Sequence, residues 1–159
     1  MKISEFNFTK ENHFVAMEYY GLILNRTFLI LITDLKLIGI KVHGLISVES
    51  HGVEAIITSL ISVDGNLSNP YSYIKMKFIE RIKDVDLLSD SFLNANPSNF
   101  IFERSDVTEV KYDKRKKWGM GYYPHDGRVY ITSRDNSKRE FIILGSQSGS
   151  EIERNLKTN

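Results

Sequence analysis

Arg128-Val129-Tyr130-Ile131-Thr132 and Arg139-Glu140-Phe141-Ile142-Ile143-Leu144, with Arg134-Asp135-Asn136 between them, decide the fold. Two runs rich in β-branched and aromatic residues around a short polar turn read as a hairpin. Outward from there, Asp126-Gly127 is a second turn signal, preceded by Trp118 to Tyr123, and Phe100 to Tyr112 has the same strand composition. The last third of the chain is therefore expected to be a four-strand meander. Asp126-Gly127 would be the tip of a tight hairpin joining residues 121–124 to 128–132, with His125 solvated at its end. Gly145 closes the last strand, and Ser146 or Ser150 can cap a helix through Glu151, Ile152 and Leu156.

The N-terminal part reads as three more strands. Phe14 to Leu24 and Thr27 to Thr33 are joined by Asn25-Arg26, and Asp34-Leu35 separates a third run, Lys36 to Val42, expected to be half-buried. From residue 53 the period changes. Val53, Ile56, Ile57, Leu60 and Ile61 form one helical stripe, ended by Asp64-Gly65. Asn69-Pro70 has the form of an N-cap followed by a first-turn proline, so a helix is expected from Pro70 to about Lys83. Its stripe of Tyr71, Ile74, Phe78, Ile82 and Val85 would place Tyr71 and Phe78 against the sheet and the lysines in water. More helix is expected through Leu87, Leu88, Phe92 and Leu93 before Asn96-Pro97.

The composition fits one domain spanning residues 1–159, with residues 50–97 as a helical insertion. A chain of 159 residues with 42% hydrophobic and 26% charged content can build a substantial core. The absence of cysteine excludes disulfides, thiolate metal sites and cysteine nucleophiles. Met1 to Glu5 does not lead into an apolar signal core, and the most apolar stretch, Leu22 to Ile40, is broken by Asn25, Arg26, Asp34 and Lys36. A cytoplasmic protein without a transmembrane segment is the expectation. Net charge is +1, but residues 100–140 hold ten Lys/Arg against seven Asp/Glu while residues 1–99 hold nine against eleven. The excess of positive charge therefore lies in the meander.

Three strands, a helical insertion, four strands and a terminal helix match the order of a pleckstrin-homology-like barrel, and two segments carry a further likeness. Thr33-Asp34-Leu35-Lys36-Leu37-Ile38, after the apolar run Phe28 to Ile32, resembles the "TDxRLI" hairpin of bacterial PH and GRAM-like domains, with Lys36 in place of the usual arginine. Ser105-Asp106-Val107-Thr108-Glu109-Val110 is similar to the "sDI..V" strand that opens their second sheet. The resemblance covers residues 14–48 and 100–157 and leaves 50–97 as a departure. It implies an α+β fold, a PH-like split barrel of about seven antiparallel strands with a C-terminal helix. Such a fold binds lipids, peptides or other domains and does not define one ligand.

No catalytic, cofactor or metal constellation emerges from the spacing. His13, His43, His51 and His125 stand apart from one another. Gly145-Ser146-Gln147-Ser148-Gly149 has glutamine where a nucleophile elbow needs its serine, and Gly119-Met120-Gly121 has Pro124 where a dinucleotide fingerprint needs its third glycine. Asp84, Asp86 and Asp90 read as a solvated helix face, and the pairs Tyr19-Tyr20, Tyr71/Tyr73 and Tyr122-Tyr123 as core or rim aromatics. What remains is Lys114-Arg115-Lys116-Lys117-Trp118, leading towards His125.

At about 1 kcal/mol per charge beside an anionic membrane, this run reaches about 4 kcal/mol at most, which is millimolar binding. A stable anchor needs a second signal. The expected function is a non-catalytic binding or interaction domain whose contact surface is Lys114, Arg115, Lys116, Lys117, Trp118 and His125. Its partner would be an anionic lipid surface or an acidic protein. The rival is a small enzyme or small-ligand-binding protein with a pocket between the inserted helices and the sheet, where Tyr71, Tyr73 and His51 converge. Specific nucleic-acid binding is disfavoured, because the chain as a whole is not basic.

Overall fold

The computed structural model describes residues 1–20, 24–44, 46, 65–121 and 123–157. Within them seven strands form one antiparallel sheet: β1 (His13–Tyr19), β2 (Asn25–Ile32), β3 (Lys36–His43), β4 (Phe100–Glu103), β5 (Val107–Asp113), β6 (His125–Ser133) and β7 (Lys138–Leu144). Their order is β4-β3-β2-β1-β7-β6-β5. The helices are short: α1 (Met76–Glu80), α2 (Asp90–Ala95) and the closing α3 (Gly149–Lys157), with single 3₁₀ turns at Ile3–Glu5, Pro70–Tyr73 and Arg104–Asp106.

The sheet is strongly curled. Phe100 on β4 and Phe141 on β7 are four strand spacings apart, roughly 19 Å in a flat sheet. Their ring centroids nevertheless lie 6.0 Å apart, with Phe28 of β2 at 5.4 and 6.4 Å from them. β4 and β5, the two edge strands, are joined only by the three-residue turn Arg104–Asp106. Arg104 fixes this corner by donating to the Thr33 and Leu156 carbonyls, both at 3.1 Å. The result is a half-barrel whose inner face holds Phe14, Phe28, Ile30, Leu37, Val129, Ile131 and Phe141, closed by Ile152 and Leu156 of α3.

The outer face is also buried, so β3 is not the half-buried strand expected: Leu37 on one face and Ile38 on the other are both in the core. Tyr73, Ile82, Leu87 and Phe92 from residues 70–92 cover Val15, Leu29, Leu31, Ile40 and Ile142. This cover forms without the long helix predicted. Asn69 does cap the turn, its side chain accepting from the Tyr71 N–H at 3.1 Å, and Pro70 follows it. Ile74 and Lys75 are then extended, however, and the Lys75 N–H donates to the Val42 carbonyl at the end of β3. A hydrogen bond to the sheet thus replaces the helical one. Tyr73 becomes the core residue, while Tyr71 points outward. The helix expected over 53–61 lies outside the described residues. Asp84, Asp86 and Asp90 are exposed, as a solvated face requires.

Other differences are local. Asn25-Arg26 is not a turn but opens β2, the hairpin closing instead through the Tyr20 N–H to the Leu24 carbonyl. Phe100 to Tyr112 is two strands, and the described residues from Trp118 to Tyr123 form none. Asp126-Gly127 is not a hairpin tip. Both residues lie inside β6, where three residue steps from His125 to Arg128 face two on β7, a β-bulge. The turns at Asp34-Leu35 and Arg134–Asn136 form as predicted, Asn136 adopting φ 64°.

The bulge also serves the closing helix. Asp126 Oδ2 accepts from the Gly149 N–H at 2.8 Å and its Oδ1 from the Tyr112 hydroxyl at 2.9 Å, while Ser148 Oγ accepts from the Glu151 N–H. Burial, the hydrogen bond to Asp126 and its charge push the Tyr112 phenol up to about 12. The cap thus comes from another strand as well as from Ser148, and not from Ser146 or Ser150. Asp126→Ala is expected to cost about 1–2 kcal/mol in urea denaturation, with loss of α3 signal by circular dichroism. An unchanged midpoint would rule out this tertiary cap.

Candidate functional site

The basic run occupies the β5–β6 loop, residues 114–124, and its fixed framework comes from residues around it. Asp113, the last residue of β5, takes Arg115 in a bidentate pair at 2.7–3.0 Å and Arg128 of β6 at 2.8 Å. Hydrogen bonds from Arg115, with the charges of Arg115 and Arg128, hold the Asp113 carboxyl well below the usual carboxylate range. The Lys117 ammonium meets Glu140 at 2.8 Å and lies 5.5 Å from the centre of the Tyr19 ring. Lys114 and Lys116 are exposed and have no ion pair among the described residues. Of the four consecutive cations, two are therefore tied down and two are free.

His125 is not displayed to solvent as expected; it is buried beneath the loop. The Lys117 N–H donates to its Nε2 at 3.0 Å, so Nδ1 carries the proton and donates to the Tyr123 carbonyl at 3.0 Å. Neutral His125 thus holds both flanks of the loop in register. Met120 and Tyr123 anchor the far side in the outer core, with the Tyr19 hydroxyl 3.5 Å from the Met120 sulfur. Gly119 and Gly121 have φ of 85° and 53°, so the segment read as a strand is a glycine-shaped loop. Between these anchors Trp118 is 88% exposed, the most exposed of the large hydrophobic residues described.

Between the described part of the insertion and the sheet the side chains pack closely. The cleft there, lined by Ile40, Lys41, Phe78, Arg81 and Ile82, encloses about 10 Å³, room for about one water. The Tyr73 hydroxyl donates to the Leu67 carbonyl, Tyr71 faces elsewhere and His51 lies outside the described residues. Tyr71 instead meets His13, its hydroxyl 2.5 Å from Nε2, in a grouping the sequence did not signal because the two residues are 58 apart.

Among the described residues no three His, Asp or Glu side chains come together as metal ligands, and no helix is long and apolar enough to cross a membrane. No protein-family model, curated protein or solved structure matches the chain.

Proposed function

We propose that the chain is a PH-like, non-catalytic binding module of the cytoplasm whose β5–β6 loop docks reversibly on an anionic membrane surface. The observation that carries this reading is the exposure of Trp118, held out on a loop that Met120, Tyr123 and His125 fix from beneath. An indole has an apolar body and one N–H donor, which suits it to the interface between headgroups and acyl chains. Lys114 and Lys116 beside it contribute about 2 kcal/mol near an anionic leaflet, so the indole is the second signal that charge alone lacks. The seven strands and terminal helix support the PH-like assignment.

Trp118 is the chain's single tryptophan, so its fluorescence reports the contact directly. Vesicles of phosphatidylserine and phosphatidylcholine should shift its emission to the blue, and vesicles of phosphatidylcholine alone should not. Trp118→Ala should abolish co-sedimentation with the anionic vesicles. Lys114→Glu with Lys116→Glu should weaken it by about tenfold or more, and rising salt should do the same to the wild type. Lys117 is left in place because its pairing with Glu140 belongs to the loop's framework. No emission shift on either vesicle would end the membrane reading; a shift on adding poly-glutamate would transfer it to an acidic protein partner.

A further inference from the structure

A second surface lies where the segment before β1 meets the turn at Pro70–Tyr73. Phe8, Thr9, Lys10, His13 and Tyr71 line an open cleft of about 390 Å³, within the range of small-molecule sites. Phe8 and Tyr71 are 45% and 51% exposed there, although Phe8 rests edge-on against His13 at 5.0 Å and Tyr71 lies 5.8 Å from it.

The cleft is organised before any ligand arrives. Asn12 accepts from the Thr9 N–H at 2.9 Å and donates to the Asn7 carbonyl at 2.8 Å, which shapes the loop carrying Phe8 and Lys10. Asn69 caps the turn that carries Tyr71. Asn12 Oδ1 also faces His13 Nδ1 at 3.4 Å, so Nδ1 bears the proton and Nε2 accepts from the Tyr71 hydroxyl. Burial lowers the His13 pKa, against a smaller opposing effect of its backbone hydrogen bond to Thr9, and favours this neutral form. Lys10 is then the one charged side chain on the wall, and it has no ion pair among the described residues.

We infer that this cleft binds a planar aromatic ligand carrying an anionic group, its ring against Phe8 and Tyr71 and its charge near Lys10. Each aromatic wall offers a π-face that stacks without demanding one ring type. A nucleoside monophosphate and an aromatic carboxylic acid share this chemistry, and the experiment separates them.

The test is an NMR titration of the full chain with AMP and with 4-hydroxybenzoate, using adenosine and inorganic phosphate as controls for ring and charge alone. One or both of the aromatic anions should shift the His13 and Tyr71 ring resonances saturably, with adenosine and phosphate roughly fivefold weaker or worse. Tyr71→Ala should weaken binding by about tenfold. Lys10→Gln, a change at an exposed side chain, should weaken it by roughly threefold while leaving the other resonances in place. Trp118→Ala should leave the titration unchanged, so the two sites stand or fall separately. No saturable shift at His13 with either anion, or equal affinity in wild type and the folded variants, would overturn the assignment.

Discussion

Gly127→Val is expected to lower stability by about 3 kcal/mol or more. Gly127 has φ 61°, which costs a β-branched residue roughly 1–2 kcal/mol by itself. A Cβ there would lie 2.2 Å from the Asp113 carbonyl oxygen and 2.9 Å from Lys114 Cα. Both are backbone atoms, so no rotamer change relieves the clash and β5 must move away from β6. Gly44 provides the control, since an added Cβ meets nothing within 4 Å, and Gly44→Ala should stay within about 0.5 kcal/mol. Urea denaturation midpoints measure both. Because the same bulge sets His125 under the loop, a folded fraction of Gly127→Val should also lose the vesicle response of Trp118. A midpoint like that of wild type would mean that β5 and β6 do not approach as closely as 2.2 Å implies.

This glycine also shows how far the sequence could be read. Asp126-Gly127 announced a residue needing positive φ, and the residue does need it. What local composition could not show was the partner strand: Asp113 pairs with Arg128, so the glycine sits within a ladder and the chain reverses earlier, through residues 114–124. Gly119 and Gly121 were the visible sign of that loop, but their spacing between Trp118, Met120 and Tyr122 imitates a strand's alternation. The total of seven strands held because Phe100 to Tyr112 divided in two where the described residues from Trp118 to Tyr123 contributed none. The helix expected from Pro70 failed for a related reason. Its apolar spacing is real, but Lys75 bonds to Val42, and a periodicity count has no access to a strand end 33 residues upstream. The free charges of Lys114 and Lys116 and the exposed Trp118 were legible as a cluster. The Arg115 pair is with Asp113, only two residues away, but the pairing of Lys117 with Glu140, 23 residues on, and the burial of His125 beneath the loop depend on the fold.

Removing Arg139 should reverse the sign of the protein's pH dependence in the acid range. Glu18 on β1 is buried, and Arg139 of β7 grips both of its carboxylate oxygens at 2.7 Å while Arg26 of β2 adds a bond at 2.9 Å. The Arg139 guanidinium lies 3.7 Å from the centre of the Phe100 ring, so it also packs into the inner aromatic core. Burial alone would raise the Glu18 pKa, but the hydrogen bonds and charges of Arg139 and Arg26 outweigh it and set the pKa below its ordinary 4.5. In the wild type the stabilisation is therefore present above about pH 4.5 and lost as pH falls through the lower folded value. Arg139→Met keeps the apolar contact but leaves Glu18 buried with only Arg26, at an expected cost of about 3 kcal/mol near neutral pH. Burial then dominates, the folded pKa rises above the unfolded one, and stability falls as pH climbs from about 4.5 towards neutrality. Urea denaturation at about pH 4, 5 and 6 should show stability rising with pH in the wild type and falling in the variant. Glu18→Gln added to Arg139→Met should flatten the profile and recover much of the loss, because the buried carboxylate charge is then gone and Arg26, its remaining partner, is a quarter exposed to water. A single-variant profile that still rises with pH would show that Arg26 alone holds Glu18 ionised.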